Sequence, residues 1–353
     1  MAKSKLTLIV DGNWLLMSRL KVLENRYLND YELCLELQLI MIKSINVVLR
    51  TFPSIDNIIF VADGGSWRTN IEIPSCLHHE IAGKEVEYKG NREKSEDINW
   101  DLIFSSYEEF LSLLNACGIT ACREKNIEGD DWCCHWSKFL NDNNTNCIIW
   151  TKDNDLKQLV KINKDKCFTV WWNKDSGLFT PIYEENDMNF LFNNALYDNE
   201  AILNELISKS ISTTQINPNS IVIDKIIRGD SGDNIFPVIV KKTQGSSGRL
   251  YRINVKDLDF NLNYNDDKSV KEYFINLLNS KKYSGKIDKS LNDIIEHFKY
   301  NKKLIVLEKN NYPQEVVDIL DSYDTYNISK DTMTVESYIQ ASSNKLQNIL
   351  DII

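Results

Sequence analysis

Five short stretches of this 353-residue chain gather carboxylates beside apolar runs and glycine turns. They are "LIVDGN" with Asp11, "FVADGG" with Asp63, "EGDD" with Glu128, Asp130 and Asp131, "TKDNDLKQL" with Asp153 and Asp155, and "GDSGDN" with Asp230 and Asp233. Taken singly, each has an ordinary explanation. An aspartate at a strand end caps the next helix or stabilises a turn, and "EGDD" is common helix N-terminal chemistry. "GDSGDN" fits a loop or a calcium site, although it lacks the twelve-residue ligand spacing of an EF-hand. Together they make a different demand. Two unit charges about 5 Å apart repel by roughly 3 kcal/mol at an effective dielectric of about 20. A cleft holding all of these acids stays ionised only if cations sit among the oxygens, and otherwise several pKa values rise. Hard oxygen donors without His or Cys select magnesium or manganese. Two such ions about 3.5 to 4 Å apart suit phosphodiester cleavage, one activating water and the other stabilising the leaving oxygen.

The elements that must position these acids follow from the apolar pattern. The runs "LTLIV" (6–10), "IIFVA" (58–62), "ITACR" (119–123), "CIIW" (147–150) and "CFTVWW" (167–172) read as strands, and "YELCLELQLIMIKSINVVLRTF" between the first two has helical periodicity. Such alternation predicts an α/β fold with a mostly parallel sheet flanked by helices. In an open parallel sheet every strand's carboxyl end opens on the same edge, which is where Asp11, Asp63, Asp153 and Asp155 fall. "NIEGDDWCCHW" reads as a helix start, with Glu128 and Asp131 on one face and Asp130 beside them at the positive end of the dipole. After about residue 190 the texture becomes Asn- and Lys-rich and helical. The expected division is therefore a nuclease-type metal-binding domain over 1–190 and a mostly helical region over 191–353 that contributes Asp230 and Asp233.

Composition narrows the class. A net charge of −10 argues against nucleic acid as a whole-surface partner, because phosphate binding is driven by Lys and Arg. Concentrating the acid in a cation site changes that reading: two divalent ions bring the balance from −10 to about −6. The eight cysteines show no metal-ligand spacing and read as free thiols; the four histidines are scattered. Cys133, Cys134 and His135 are consecutive, so on a helix they point in different directions and make a poor zinc site. No apolar run reaches the roughly 18 to 20 residues of a membrane span, and the N-terminal apolar core is too short for a secretory signal. A cytoplasmic location and a monomer are expected.

These motifs, in this order, resemble the 5′ nuclease superfamily of flap endonucleases and 5′ to 3′ exonucleases, and within it the branch of the T-even phage ribonucleases H. "EYKGNREKS" and "YNKKLIVLEKNNYPQEVVDILDSY" extend the likeness from about residue 6 to about residue 340. The resemblance implies a PIN-like sheet with an arch, over about 84–110, crossing the active site. It also implies two Mg2+ ions, replaceable by Mn2+. Asp11, Asp63, Glu128, Asp130 and Asp131 would serve the first metal region, and Asp153, Asp155, Asp230 and Asp233 would contribute to both metals or hold water around the second. From the arch it assigns Lys89 and Arg92 to the scissile phosphate and Tyr88 to base stacking, with Lys94 also on nucleic acid. "SEDINWDLIFSSYEEFLSLL" then reads as the arch's second half, and residues 84–100 are expected to be mobile in the free protein. The alternative for "YKGNREK" is an exposed loop whose charges face water.

One departure stands out. The family follows its last acidic motif with a Gly-rich helix-turn-helix that grips duplex phosphates around a potassium ion. Here the text reads "NIFPVIVKKTQGSSGRLYRIN", without that spacing. The potassium site is accordingly not expected, and duplex contact falls to Lys241, Lys242, Arg249 and Arg252.

The function implied is a metal-dependent 5′ nuclease acting on 5′ flaps, duplex DNA or RNA–DNA hybrid, with primer removal as its role. Two alternatives stand beside it: a PIN-type ribonuclease, and a non-catalytic module that binds branched DNA. Related nucleases work with a sliding clamp or a single-strand binding protein, but no short motif here names such a partner. The tail "TVESYIQASSNKLQNILDII" reads as an amphipathic helix that packs on the body or docks a partner.

Overall fold

The computed structural model describes residues 5–23, 29–78, 87–90, 98–163, 167–182, 199–239, 253–284, 287 and 289–325. The chain forms two compact units, each assembled from separated segments. One comprises 1–66, 95–216 and 314–353; the other comprises 67–94 and 217–313.

The larger unit is built on a sheet of eight strands: β1 (Leu6–Asp11), β2 (Asn57–Val61), β3 (Thr120–Cys122), β4 (Asn146–Trp150), β5 (Lys161–Asn163), β6 (Cys167–Asn173), β7 (Gly177–Pro181) and β8 (Thr213–Ile216). Their order is β3-β2-β1-β4-β6-β7-β8, with β5 also paired to β6. The pairs from β3 through β6 are parallel, β5 and β7 run antiparallel to β6, and β8 is parallel to β7. All five strands expected from the sequence are present. β5, β7 and β8 extend the sheet beyond them.

Every residue of β1 is buried, as expected for a central strand covered on both faces. The cover comes from α1 (Gly12–Leu23), α2 (Asp30–Thr51), α4 (Trp100–Ala116), α5 (Gly129–Asp142) and α6 (Asn199–Lys209); a short α3 (Ser75–His78) belongs to the smaller unit. A capping box starts α2: the Glu32 N–H donates to Asn29 Oδ1 at 3.0 Å and the Asn29 N–H to Glu32 Oε2 at 3.0 Å. The stretch read as the arch's second half contains α4, whose Ile103, Tyr107, Phe110, Leu111 and Leu114 are buried in the core of this unit. Phe60 packs edge-on against Phe110 at 5.6 Å.

The last helix, α10 (Gln314–Ser322), also belongs to the larger unit. The turn behind it is fastened to α5: Tyr323 lies edge-on to Trp132 at 4.7 Å, and His135 Nε2 stands 3.2 Å from Asp324. The tail read as an amphipathic helix begins past the described residues, which end at 325. Among the described residues no helix is long and apolar enough to cross a membrane.

The smaller unit is helical, with α3, α7 (Pro218–Arg228), α8 (Asp267–Asn279) and α9 (Leu291–Ile305) around Ile223, Ile226, Phe274 and Phe298. Asn301, fully buried, ties this core together by donating from Nδ2 to the carbonyls of Ile226 and Phe236, both at 2.8 Å. α7 opens on an Asn217 cap with Pro218 as its first residue. It ends at Gly229, whose φ of +69° is the left-handed conformation that stops a helix at little cost only in glycine.

Candidate active site

In the larger unit the acids of four motifs meet at the carboxyl ends of β1, β2 and β4 and at the start of α5. Parallel register fixes this: Val10 lies beside Phe60 on one side and Trp150 on the other, so the residues that follow these strands emerge together. Asp11 ends β1 and is 7% exposed. Its Oδ1 accepts the Trp14 N–H at 3.0 Å, and its Oδ2 accepts the Thr151 hydroxyl at 2.6 Å. Thr151 Oγ1 in turn accepts the Asp153 N–H at 2.9 Å, and Asp153 Oδ1 accepts the Asp155 N–H at 2.8 Å. One threonine thus couples the first and fourth motifs.

Asp63, following β2, accepts the Gly129 N–H on Oδ1 at 2.6 Å, placing its carboxylate at the N-terminus of α5. A side chain on Gly129 would press on that oxygen, so the glycine permits the approach. Glu128 precedes α5 and is 4% exposed; Asp131 is fully buried, and its Oδ2 accepts the Glu128 N–H at 3.2 Å. Asp130, half-buried, lies between them in the first turn.

The electrostatics show how crowded this edge is. Burial pushes the Asp11 carboxyl up to about 7, against the lowering effect of its bonds from Thr151 and Trp14, and the charges of Asp63 and Asp153 raise it further. Burial also raises the Cys133 thiol, with Asp11, Asp130 and Asp153 adding to the effect, so this cysteine lies among the acids as an inert wall. Tyr107 is raised well above its ordinary value by burial and then by Asp63 and Asp11; its hydroxyl points at Asn13 Oδ1, 3.4 Å away. Asn13 Oδ1 also accepts the Asp63 N–H at 3.0 Å.

Asn13, Tyr107, Thr151 and Gly129 were not singled out from the sequence. Asn13, Gly129 and Thr151 do stand inside or beside the acidic motifs, so a polar or glycine neighbour of a motif acid was the available signal. Tyr107 had none, because its helix reads only as amphipathic.

The donor set fits a hard divalent cation. Its oxygens are carboxylate, they come from converging elements, and a buried carboxyl with its pKa near 7 is one whose ionised form a cation would favour.

Asp230 and Asp233 lie in the smaller unit, in the turn after α7. An antiparallel bridge joins Asp230 to Ile235, with Asp230 N–H to Ile235 O at 2.9 Å and Ile235 N–H to Asp230 O at 2.7 Å. Asp230 Oδ1 accepts the Gly232 N–H at 2.8 Å, and its Oδ2 is paired with the Lys225 ammonium. Lys225 is thus a local counter-charge for Asp230.

The same turn holds the "EYKG" segment. The Lys89 N–H donates to Asp233 O at 2.9 Å, and Asn234 Nδ2 donates to Glu87 O at 2.9 Å. The Tyr88 hydroxyl donates to Asp233 Oδ2 at 3.4 Å. Lys89 and Asn234 both adopt left-handed φ values, +58° and +59°, and Lys89 Nζ lies 5.0 Å from the Tyr88 ring centre. Tyr88, expected to stack on a base, has its ring in the core of this unit at 8% exposure, so stacking would require withdrawing it. Of the segment expected to be mobile, only 87–90 and 98–100 are described. Arg92, Lys94, Lys241, Lys242, Arg249 and Arg252 lie outside the described residues.

No protein-family model matches the chain. A curated 5′–3′ exonuclease of Mycoplasmopsis pulmonis (strain UAB CTIP) is 25% identical over 347 residues, 93% of this chain and 94% of that protein. Solved structures share the fold. A bacteriophage T5 flap endonuclease in a pseudo-enzyme-product complex with DNA and metal ions matches with a TM-score of 0.54 at 16% identity, over 95% of this chain and 100% of that one. T5 5′-exonuclease with bound zinc matches with a TM-score of 0.52 at 17% identity, over 92% and 100%.

Proposed function

We propose that this chain belongs to the 5′ nuclease superfamily and is a divalent-metal-dependent 5′ to 3′ exonuclease and flap endonuclease that cleaves phosphodiester bonds at the 5′ ends of RNA–DNA hybrid or duplex DNA. The observation that carries this reading is the acidic edge of the larger unit, where the buried Asp11, Glu128 and Asp131 converge with the part-buried Asp63 and the exposed Asp153, their carboxylates held by hydrogen bonds. Asp11, Asp63, Glu128, Asp130, Asp131, Asp153 and Asp155 would hold Mg2+ there, with Mn2+ able to replace it. When bound, these ions supply the Lewis acidity that in-line phosphodiester hydrolysis requires.

The chain's own groups do the rest. Thr151 and the Trp14 N–H fix both Asp11 oxygens, and Gly129 fixes one Asp63 oxygen, so the acids are oriented before substrate arrives. Lys89 and Arg92 neutralise the scissile phosphate. Lys94, Lys241, Lys242, Arg249 and Arg252 contact the nucleic acid backbone. The biological role in this reading is removal of replication primers by a monomer in the cytoplasm, or the host cytoplasm for a phage protein, beside single-strand binding protein or a sliding clamp.

The test uses a 5′-labelled flap substrate with Mg2+ or with EDTA, for the wild type and Asp153→Asn. Products that form only with Mg2+, and disappear in the variant while duplex binding persists, support the reading. Binding without products in either condition returns the protein to the class of non-catalytic branched-DNA modules. Cleavage confined to single-stranded RNA points to a PIN-type ribonuclease.

A further inference from the structure

On the larger unit, α1, α2, the ends of β4 and β6, and the end of α6 enclose a cavity of about 470 Å³ that the acidic site does not use. That volume lies within the roughly 300 to 1,000 Å³ typical of small-molecule sites. Three tryptophans line it: Trp14 from α1, Trp150 from β4 and Trp172 from β6. Trp14 meets Trp150 edge-on at 5.6 Å, and Trp150 is tilted against Trp172 at 6.4 Å, giving a continuous aromatic wall. Arg19, Lys174 and Lys209 stand around the same cavity.

In a chain of net charge −10, three cations around three indoles are unusual company for one acid, Asp175. Asp175 already accepts from Lys152 at 3.3 Å, so it does not neutralise the group on its own. Lys209, exposed, reaches the part-buried Glu205 at 3.7 Å, a loose pair whose carboxylate is also held by the Ser54 hydroxyl, which leaves the ammonium available to an anion. Arg19 is the strongest indication. Its Nε–H is buried and finds no acceptor among the described residues, and burial lowers its pKa while the charge of Asp175 acts in the opposite direction. A desolvated guanidinium donor beside an open cavity is a site for an acceptor oxygen.

An aromatic wall takes a planar apolar group, and guanidinium and ammonium groups take phosphate. We propose that this cavity binds a nucleotide, with the base against the part-exposed Trp14, which is backed by the buried Trp150 and Trp172, and the phosphate held by Arg19 with Lys174 and Lys209. The Trp14 N–H holds Asp11 while the same residue's ring lines the cavity, so a nucleotide bound here lies next to the acidic edge. The inference does not rest on the nuclease reading, because it predicts binding with no metal present.

The experiment titrates the full chain, in EDTA, with deoxyadenosine 5′-monophosphate, following tryptophan fluorescence and heat. Deoxyadenosine and inorganic phosphate serve as the two half-ligand controls. The expected result is binding of the nucleotide, with each half-ligand weaker by at least about tenfold. Arg19→Gln and Val47→Glu should each weaken the nucleotide by about tenfold or more. Val47 lies on the rim at 52% exposure, so the second variant adds a repelling charge without touching the core and decides the matter should Arg19→Gln fail to fold. Wild-type affinity weaker than about 1 mM overturns the proposal, as does nucleotide binding that Val47→Glu leaves unchanged. Equal affinity for deoxyadenosine and for the nucleotide removes the phosphate from it. Because none of these readings involves cleavage, a failure here leaves the nuclease assignment standing, and the reverse also holds.

Discussion

Replacing Asp11 by asparagine in protein stripped of divalent ions should make the fold more stable, and more so as the pH rises. The carboxyl is buried, and its pKa moves from an ordinary 3.8 to about 7 on folding. The folded state therefore holds this proton more tightly than the unfolded chain does, so stability falls as pH rises through that window and is flat above it. At about 1.4 kcal/mol per unit, the raised pKa costs the metal-free wild type about 4 kcal/mol at pH 8 and less than half of that at pH 5. Asparagine keeps the shape, its oxygen can accept from Trp14, and the Thr151 hydroxyl can turn to accept from its amide. The gap between variant and wild type should thus widen by about 3 kcal/mol from pH 5 to pH 8. Urea unfolding in EDTA at the two pH values measures it. A gap that stays constant, or a variant less stable at both, refutes the account of a carboxylate held ready for a cation. Adding Mg2+ should then stabilise the wild type by mass action and leave the variant nearly unmoved.

Two further outcomes are expected. Lys89→Ala should slow cleavage of a flap substrate in single-turnover assays by about 100-fold or more while the urea midpoint is unchanged, and a wild-type rate would remove Lys89 from the catalytic set. His297, fully buried in the smaller unit, has its pKa lowered to about 3 by burial and then by Lys289, whose Nζ lies 2.6 Å from Nδ1. The folded state keeps it neutral, so its contribution is complete above about pH 6.5 and is lost as pH falls towards 3, amounting to about 3 kcal/mol by pH 4. His297→Gln should flatten that part of the acid stability profile, and an unchanged slope would show that other groups set it.

The legible part of the chain is what local pattern encodes. β1, β2, β4 and β6 are apolar runs whose burial on both faces leaves little choice of role, and the acids behind β1, β2 and β4 were placed at one sheet edge by topology alone. β8 was missed for the converse reason. Its residues Thr213–Ile216 are mostly exposed and carry no apolar alternation, and only the backbone of β7 makes them a strand. The association of 67–94 with 217–313 was equally hidden, because the Lys89 N–H and the Glu87 carbonyl meet the turn at Asp233 and Asn234 through backbone groups of the 87–90 segment, which carry no sequence signature.

Residue type and spacing were thus sufficient to identify the acids and the charge problem they create. Which atom answers which carboxylate was decided by folding. The Thr151 hydroxyl reaches Asp11 across 140 positions because β1 and β4 pair in parallel register, and Gly129 reaches Asp63 because α5 starts beside the end of β2. The cavity with Arg19 and the three tryptophans is of the same kind. No stretch of text contains it, since its walls come from three helices and two strands, and the desolvation that makes its guanidinium notable exists only once they are packed.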